Sequence, residues 1–406
     1  MIDFELSPAH RDIRELLHQF ARNVVRPAAL AADRSGAFPE DLLLRAAAMR
    51  AGMTQGEVPL EYGGEGAGAG ELRDRRGKRQ QNRFAVVAAE ELAWGDVPFL
   101  MNLPGPGLGG PPVRYAGTSE QQRRFFAVFG QPGLHYGAYG LTEPGAGSDV
   151  AAITTTCRKD GSEWVLDGTK SFISNGAKAD WVVIFATADR GLGRAGHRMF
   201  VVERGTPGFT VSRIEEKMGL HAFETAELRL DGCRVPEDNL LGGERYYQDK
   251  EGFVGAMKTF DSSRPLVAAL ALGIARAAHE TARDFVREHY VRERPIPRYV
   301  QLCERLADQA RRIDAARMLV WRAAWMADLG MPNAKEASMA KAYAAQVAMA
   351  VCSDAVQVMG VHGLSRDCLV EKWYRDIKVF DIFEGTGQIQ RVVIARRILQ
   401  NPPASF

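Results

Sequence analysis

A multidomain α+β chain, helical at both ends and β in the middle, is the fold class the sequence predicts. Three observations carry it. Near the start, Ile13, Leu16, Leu17, Phe20 and Val24 recur at helical spacing. From about residue 135 the pattern shifts to short strand-like runs punctuated by Asp160-Gly161 and Asp167-Gly168. After Gly242-Gly243, long helical periodicity returns, with Leu302, Leu306, Ala310, Ile313 and Val320 on one stripe. The expected segments are an N-terminal helical domain over 1–134, a central antiparallel β domain over 135–244 and a C-terminal helical domain over 245–406.

In chain order, Ser7 caps a first helix that Pro8 opens and Pro27 ends. Tyr62–Gly70 and Pro104–Pro112 are too rich in glycine and proline for regular structure and read as loops. In the middle segment, Ala152–Arg158 and Trp164–Leu166 flank a hairpin turn over Lys159–Ser162. Thr169–Ser174, Trp181–Thr187, Met199–Glu203, Thr210–Ile214 and Ala226–Leu230 follow as strands. No helices intervene, which excludes a parallel nucleotide-binding sheet. In the last segment, Asn333 and Glu336 form an N-x-x-E capping signal for a helix that Gly360 stops.

Composition narrows the function classes. Lys plus Arg total 52 against 50 for Asp plus Glu, so no global field attracts nucleic acid and any anionic ligand is held by local groups. No apolar run approaches the ~18 residues that span a bilayer, and charges begin at residue 3 with no apolar signal core, so a soluble, cytoplasmic protein is expected. Cys157, Cys233, Cys303, Cys352 and Cys368 lack C-x-x-C spacing and read as reduced, mostly buried residues. No histidine pattern indicates a metal.

Four motifs invite chemistry. Gly64-x-Gly66 with Ala69 fits a dinucleotide fingerprint formally but lacks the flanking strand and helix. The basic run Arg73, Arg75, Arg76, Lys78, Arg79 and Arg83 is interleaved with Glu71, Asp74 and Gln80, and reads as a solvated loop and helix face. Tyr139–Asp149 (YGLTEPGAGSD) sets hydroxyls among glycines that let a ligand approach backbone N–H groups; as residues alone it reads first as a structural turn. Glu384, between apolar Val379, Phe380, Ile382 and the glycines Gly385 and Gly387, has the surroundings of a general base raised by desolvation, although a helix-end glutamate is often structural.

Taken together, Leu141–Val150 (LTEPGAGSDV), Trp164–Gly176 (WVLDGTKSFISNG), Val235–Gly242 (VPEDNLLG), Phe260–Pro265 (FDSSRP) and Glu371–Arg391 (EKWYRDIKVFDIFEGTGQIQR) resemble the acyl-CoA dehydrogenase family of flavoenzymes over nearly the whole chain. The resemblance implies a β-barrel-like middle domain, a C-terminal four-helix bundle and an FAD shared between subunits of a homodimer or homotetramer. It implies α,β-dehydrogenation of an acyl-CoA or acyl-carrier thioester, with electron-transferring flavoprotein as acceptor. Glu384 matches the base that removes the α-proton while the β-hydrogen leaves as hydride to flavin N5. Its backbone N–H and the flavin ribityl hydroxyl would polarise the thioester oxygen.

By the same resemblance, Leu141, Thr142, Gly147, Ser148, Phe172, Ser174, Gln357, Gly360, Thr386 and Gln388 contact the cofactor. Asp261, Arg264 and Gly385 meet the substrate, and Phe383 with the Leu100–Pro112 loop walls the acyl cavity. Ser263 occupies the family's alternative base position and cannot act as a carboxylate. The match departs at the second subunit's flavin contacts: His289, Arg292, Glu293 and Val300 stand where an R-x-x-F-G pattern and a later Gln are usual. Val361 replaces a glycine, and His221 and Phe223 replace Arg and Ser. Weakened FAD retention follows as an expectation, with a flavin-poor partner subunit of a heteromeric dehydrogenase as the alternative role.

Overall fold

The computed structural model describes residues 4–51, 80–248, 252–290 and 296–400. The first segment runs through α1 (Pro8–Phe20), α2 (Arg26–Ser35), α3 (Glu40–Ala51), α4 (Gln81–Gly95), α5 (Val97–Met101), α6 (Gly110–Ala116) and α7 (Ser119–Phe126). Ser7 caps α1, its hydroxyl accepting from the His10 N–H at 3.3 Å. Pro27 does not end the run. A π turn over Ala21–Val25 joins α1 to α2, the Arg26 N–H reaching back to the Ala21 carbonyl. Pro27 then lies in the first turn of α2, directly after the π turn. The Pro104–Pro112 reading is also corrected: Gly110 starts α6 with proline in its first turn. Tyr62–Gly70 and the basic residues from Arg73 to Arg79 lie outside the described residues. Arg83, at the end of that run, is not on a solvated face; it is buried, donates to the Glu5 carbonyl at 3.0 Å and lies 5.0 Å from the Trp321 ring.

The middle segment holds β1 (Gly137–Gly140), β2 (Thr156–Asp160), β3 (Glu163–Ser174), β4 (Trp181–Thr187), β5 (His197–Glu203), β6 (Phe209–Ile214) and β7 (Thr225–Pro236). They form one seven-stranded sheet in the order β1-β4-β2-β3-β7-β6, with β5 beside β4. The β2–β3 turn falls at Gly161-Ser162 as expected. The expectation of a wholly antiparallel sheet is corrected: β1 pairs with β4 in parallel, and Thr156 bridges Thr187 in parallel. β1 arrives from the helical segment rather than through a hairpin, so nothing local imposes antiparallel pairing. Val150–Ala152 form a 3-10 turn, and β2 begins only at Thr156. The sheet buries apolar residues on both sides, Leu166, Ile184, Phe200 and Leu228 in one cluster and Val183, Phe185, Met199 and Val201 in the other.

The last segment comprises α8 (Gly243–Gln248), α9 (Gly252–His289), α10 (Ile296–Asp328), α11 (Ala334–Met359), α12 (Leu369–Asp376) and α13 (Gly387–Gln400). The three long helices pack with α4, so Ala268, Leu272, Val320, Ala344 and Val351 share a core with Val86 and Ala93. Gly273 permits the closest approach; a Cβ there would lie 2.6 Å from the Ala93 Cβ and the Glu90 carbonyl. Gly360 ends α11 at φ 58° as expected, but Asn333 does not cap through its side chain, which donates to the Ala323 carbonyl at 3.0 Å instead. Against the expectation that no apolar run is long enough, Ala334–Leu364 reaches a mean hydropathy of 1.4, sufficient by length and composition to cross a membrane. α11 packs between α9, α10 and α13 with Glu336 and Lys341 buried, as a core helix does. All five cysteines are free; Cys157, Cys233 and Cys352 are buried, while Cys303 and Cys368 are partly exposed.

Candidate active site

Glu384 follows the short helical run Ile377–Asp381 and stands in a left-handed turn, with φ 56° at Glu384 and 89° at Gly385. A non-glycine residue holds such a backbone only where its surroundings over-determine it. Here the Gln390 amide donates to the Glu384 and Gly385 carbonyls at 3.2 and 3.0 Å, and the Lys341 ammonium donates to the Gly385 carbonyl at 2.7 Å. Position 385 favours glycine because its φ of 89° strains any side chain, and a Cβ would lie 2.5 Å from the Gln390 amide nitrogen, which would have to move. The Thr386 hydroxyl accepts from the Ile389 N–H at 3.3 Å and so starts α13.

The Glu384 carboxylate accepts from the Ser263 hydroxyl at 2.9 Å. Burial raises its pKa above the ordinary glutamate value; Ser263, Arg264 and Lys341 oppose that rise without cancelling it. Arg264 is buried on α9 and reaches the Ser338 hydroxyl on α11 at 3.5 Å. Tyr139 on β1 faces the same charge, and burial first, then Glu384, raise its hydroxyl. A desolvated, hydrogen-bonded carboxylate facing the end of β1 can take a proton from a weak carbon acid near neutral pH.

The loop after β1 presents Leu141, buried, and Thr142, half-buried. Glu143 turns inward and anchors it. Its carboxylate accepts from Lys170 at 2.7 Å, from the Thr154 N–H and hydroxyl at 2.6 and 2.7 Å, and from the Thr155 N–H at 3.0 Å. Burial alone would raise Glu143, but Lys170 and these bonds bring it down to about 2; burial likewise brings Lys170 to about 8. Gly145, Gly147 and Ser148 are exposed, and nothing lies within 4 Å of a Cβ built at either glycine. The Ser171 N–H donates to the Thr142 carbonyl at 2.9 Å, tying this loop to β3 beside Phe172. There the β3–β7 register shifts between Lys170 and Ile173, and Phe172 adopts φ 56° with its ring 60% exposed. An open aromatic face, the Thr142 and Ser174 hydroxyls and uncovered glycine backbone are the donor set that a flat, anionic flavin nucleotide requires. These residues fit FAD.

The structure thus gathers Ser263, Arg264, Glu384 and Gly385 at one place, and Leu141, Thr142, Gly147, Ser148, Phe172 and Ser174 on the loop and strand next to β1. The side chain of Asp261 lies outside the described residues, as do Arg292 and Glu293. Gln357 and Gly360 are not brought to Glu384; Gln357 stands about 24 Å beyond Lys341 along α11 at the α-helical rise and accepts from Arg305 at 2.9 Å. Gln388 is exposed on α13. The substituted positions have other partners. His289 stacks on Phe285 at 4.0 Å and donates to the Phe285 carbonyl, His221 pairs with Asp33 at 3.3 Å, and Phe223 is buried in the main core. Val300 and Val361 are exposed, and nothing in the structure explains either.

Two charged residues escaped sequence reasoning. Lys341 stands among alanines in AKAYAAQVA, where a lone charge in an apolar helix is the available signal. Lys170 sits within a strand pattern and carries no comparable one.

Family models for the acyl-CoA dehydrogenase N-terminal, middle and C-terminal domains match residues 7–129, 138–233 and 250–399. Cyclohexane-1-carbonyl-CoA dehydrogenase of Geobacter metallireducens is 36% identical over 397 residues, 98% of this chain and 99% of the relative. Among solved structures, butyryl-CoA dehydrogenase from Megasphaera elsdenii superposes with a TM-score of 0.86 at 34% identity, covering 98% of this chain and 100% of that one. A chain from "Electron transferring flavoprotein of Acidaminococcus fermentans: Towards a mechanism of flavin-based electron bifurcation" does so with a TM-score of 0.86 at 36% identity, with the same two coverages. With three consecutive domain models spanning it, the chain belongs to the acyl-CoA dehydrogenase family.

Proposed function

We propose that the chain is an FAD-dependent acyl-CoA dehydrogenase in which Glu384 removes the α-proton of the acyl group. The observation that carries this reading is the Glu384 carboxylate, desolvated, held by Ser263 and set against the end of β1. Bound FAD supplies the hydride acceptor. Thr142, Ser174 and the open Gly145–Ser148 backbone hold the flavin, and Phe172 covers its ring. Arg264 and Gly385 orient the thioester end of the substrate, and Glu384 keeps the abstracted proton.

The test is flavin reduction under anaerobic mixing with a panel starting at butyryl-CoA and cyclohexane-1-carbonyl-CoA, the acyl groups in two relatives' names. Reduction is expected with at least one. Its rate should fall as pH drops, with the acid limb above the ordinary glutamate value of about 4.3, because only the ionised base accepts a proton and burial raises its pKa. No reduction by any thioester overturns the reading. Electron-transferring flavoprotein is the proposed acceptor, supported by the fold shared with a chain from a structure named for that flavoprotein. A homodimer or homotetramer is proposed too, supported by exposed Val361, Leu364 and Leu399; light scattering measures it.

The alternative, a flavin-poor partner in a heteromeric dehydrogenase, draws on His289 and Phe223 being engaged within the protein. The equipped Glu384 supports catalysis instead. The dehydrogenase reading expects substoichiometric FAD after purification and a rise in melting temperature on adding FAD, since a ligand bound by the folded state stabilises it; no FAD binding at any concentration would favour the partner role instead. Losing two contacts of about 1.4 kcal/mol each weakens binding roughly a hundredfold. Stoichiometric FAD surviving extensive dialysis contradicts this.

A further inference from the structure

Lys341 is 1% exposed on α11, and its ammonium donates to the Gly385 carbonyl at 2.7 Å. That carbonyl already receives the neutral Gln390 amide at 3.0 Å. Holding the turn therefore needs no charge, and a buried ammonium is costly unless its charge has a counterpart. Two carboxylates supply that counterpart, Asp381 at the end of the run before Glu384 first and Glu384 second; the groups facing Glu384 are Ser263 and Arg264 from α9, Tyr139 from β1 and Lys341 from α11. Only Arg264 and Lys341 among these are cationic, and Lys341 is bonded to the very turn that carries Glu384.

We propose that Lys341 is a positioning residue for Glu384: it pins the left-handed turn through the Gly385 carbonyl, and its buried positive charge keeps the neighbouring carboxylate ionised and ready to accept a proton. The inference rests on Glu384 being the base, but its effect on Glu384 is measurable without turnover. Burial brings Lys341 down to about 8, against the pull of Asp381 and Glu384, so the ammonium is largely present at neutral pH.

The experiment follows the Glu384 carboxyl band by difference infrared titration of the full chain, with Glu384→Gln assigning the band and no substrate present. In Lys341→Met and Lys341→Gln the midpoint is expected to rise by about one pH unit or more, the direction set by losing a nearby positive charge. With FAD and thioester added, kcat at neutral pH should fall while KM changes little. A merely structural lysine would leave the titration where it is, so an unchanged midpoint in a folded variant overturns the proposal. Wild-type protein gives a second measurement should the variants fail to fold: the ionised Glu384 band should shift as Lys341 loses its proton near pH 8, and a flat response there also overturns it. If the midpoint moves but no thioester reduces the flavin, the proposed reaction fails and the coupling stands.

Discussion

Glu384→Gln is expected to keep the fold and FAD affinity while slowing flavin reduction by the best thioester about 10²–10⁴-fold. That corresponds to roughly 3–5.5 kcal/mol of barrier, at about 1.36 kcal/mol per tenfold. The amide is nearly isosteric and can still accept from the Ser263 hydroxyl. The turn survives because Lys341 and Gln390 grip backbone carbonyls rather than the carboxylate. What disappears is the capacity to take a proton. Stopped-flow reduction of the FAD-loaded variant measures it, and a near wild-type rate would remove Glu384 from the role of base.

The second large effect is on stability. Lys372 on α12 is fully buried and pairs with Asp96, which precedes α5, and at 2.6 Å with Asp376. Asp376 also accepts from the Leu220 N–H at 2.6 Å, where Leu220 sits at φ 52° in the connection between β6 and β7. Lys372 and Asp376 thus tie together three segments far apart in sequence. Lys372→Met fills similar volume but leaves two buried carboxylates without their hydrogen-bonded countercharge, and a loss of about 3–5 kcal/mol is expected. Adding Asp96→Asn and Asp376→Asn should recover much of it, since neutral amides have no charge to desolvate. Denaturant unfolding of the two variants checks this; a loss below about 1 kcal/mol for Lys372→Met would mean that water or another cation reaches the pair.

Local chemistry was legible and long-range chemistry was not. Ser7-Pro8, Asp160-Gly161 and Gly360 act where they stand, because caps and tight turns depend on a few adjacent residues. Pro27 misled because the π turn before it is a property of the helix–helix junction, which leaves no mark at a single residue. The parallel β1–β4 pairing was invisible for a related reason: Gly137–Gly140 (GAYG) has no strand pattern and is held by a partner some forty residues on. The apolar and glycine neighbours of Glu384 made it a candidate base, but alone they suited a structural glutamate as well, and the resemblance over Glu371–Arg391 is what singled it out. Its supports, Ser263, Lys341 and Gln390, come from three helices, and only tertiary structure brings them to one carboxylate.

One feature of the core bears on how the chain is made. The first and last segments share one interior around α4: Val86, Ala93 and Trp94 lie in the same cluster as Ala268, Ile274, Val351 and Trp373. Arg317 bonds Glu90 at 2.8 Å, and Asp33 bonds Arg375 at 2.6 Å, across more than two hundred residues. During synthesis α4 therefore emerges with its apolar face uncovered and waits for α9 to α12, whereas the sheet between them can close as soon as β7 is made. Nascent chains arrested before residue 260 are expected to protect the β segment from protease while the first helices are cut; equal protection of both would mean that the N-terminal helices find a temporary partner. The long delay between the two halves of one interior makes translation speed and chaperone holding part of what determines the yield of folded protein.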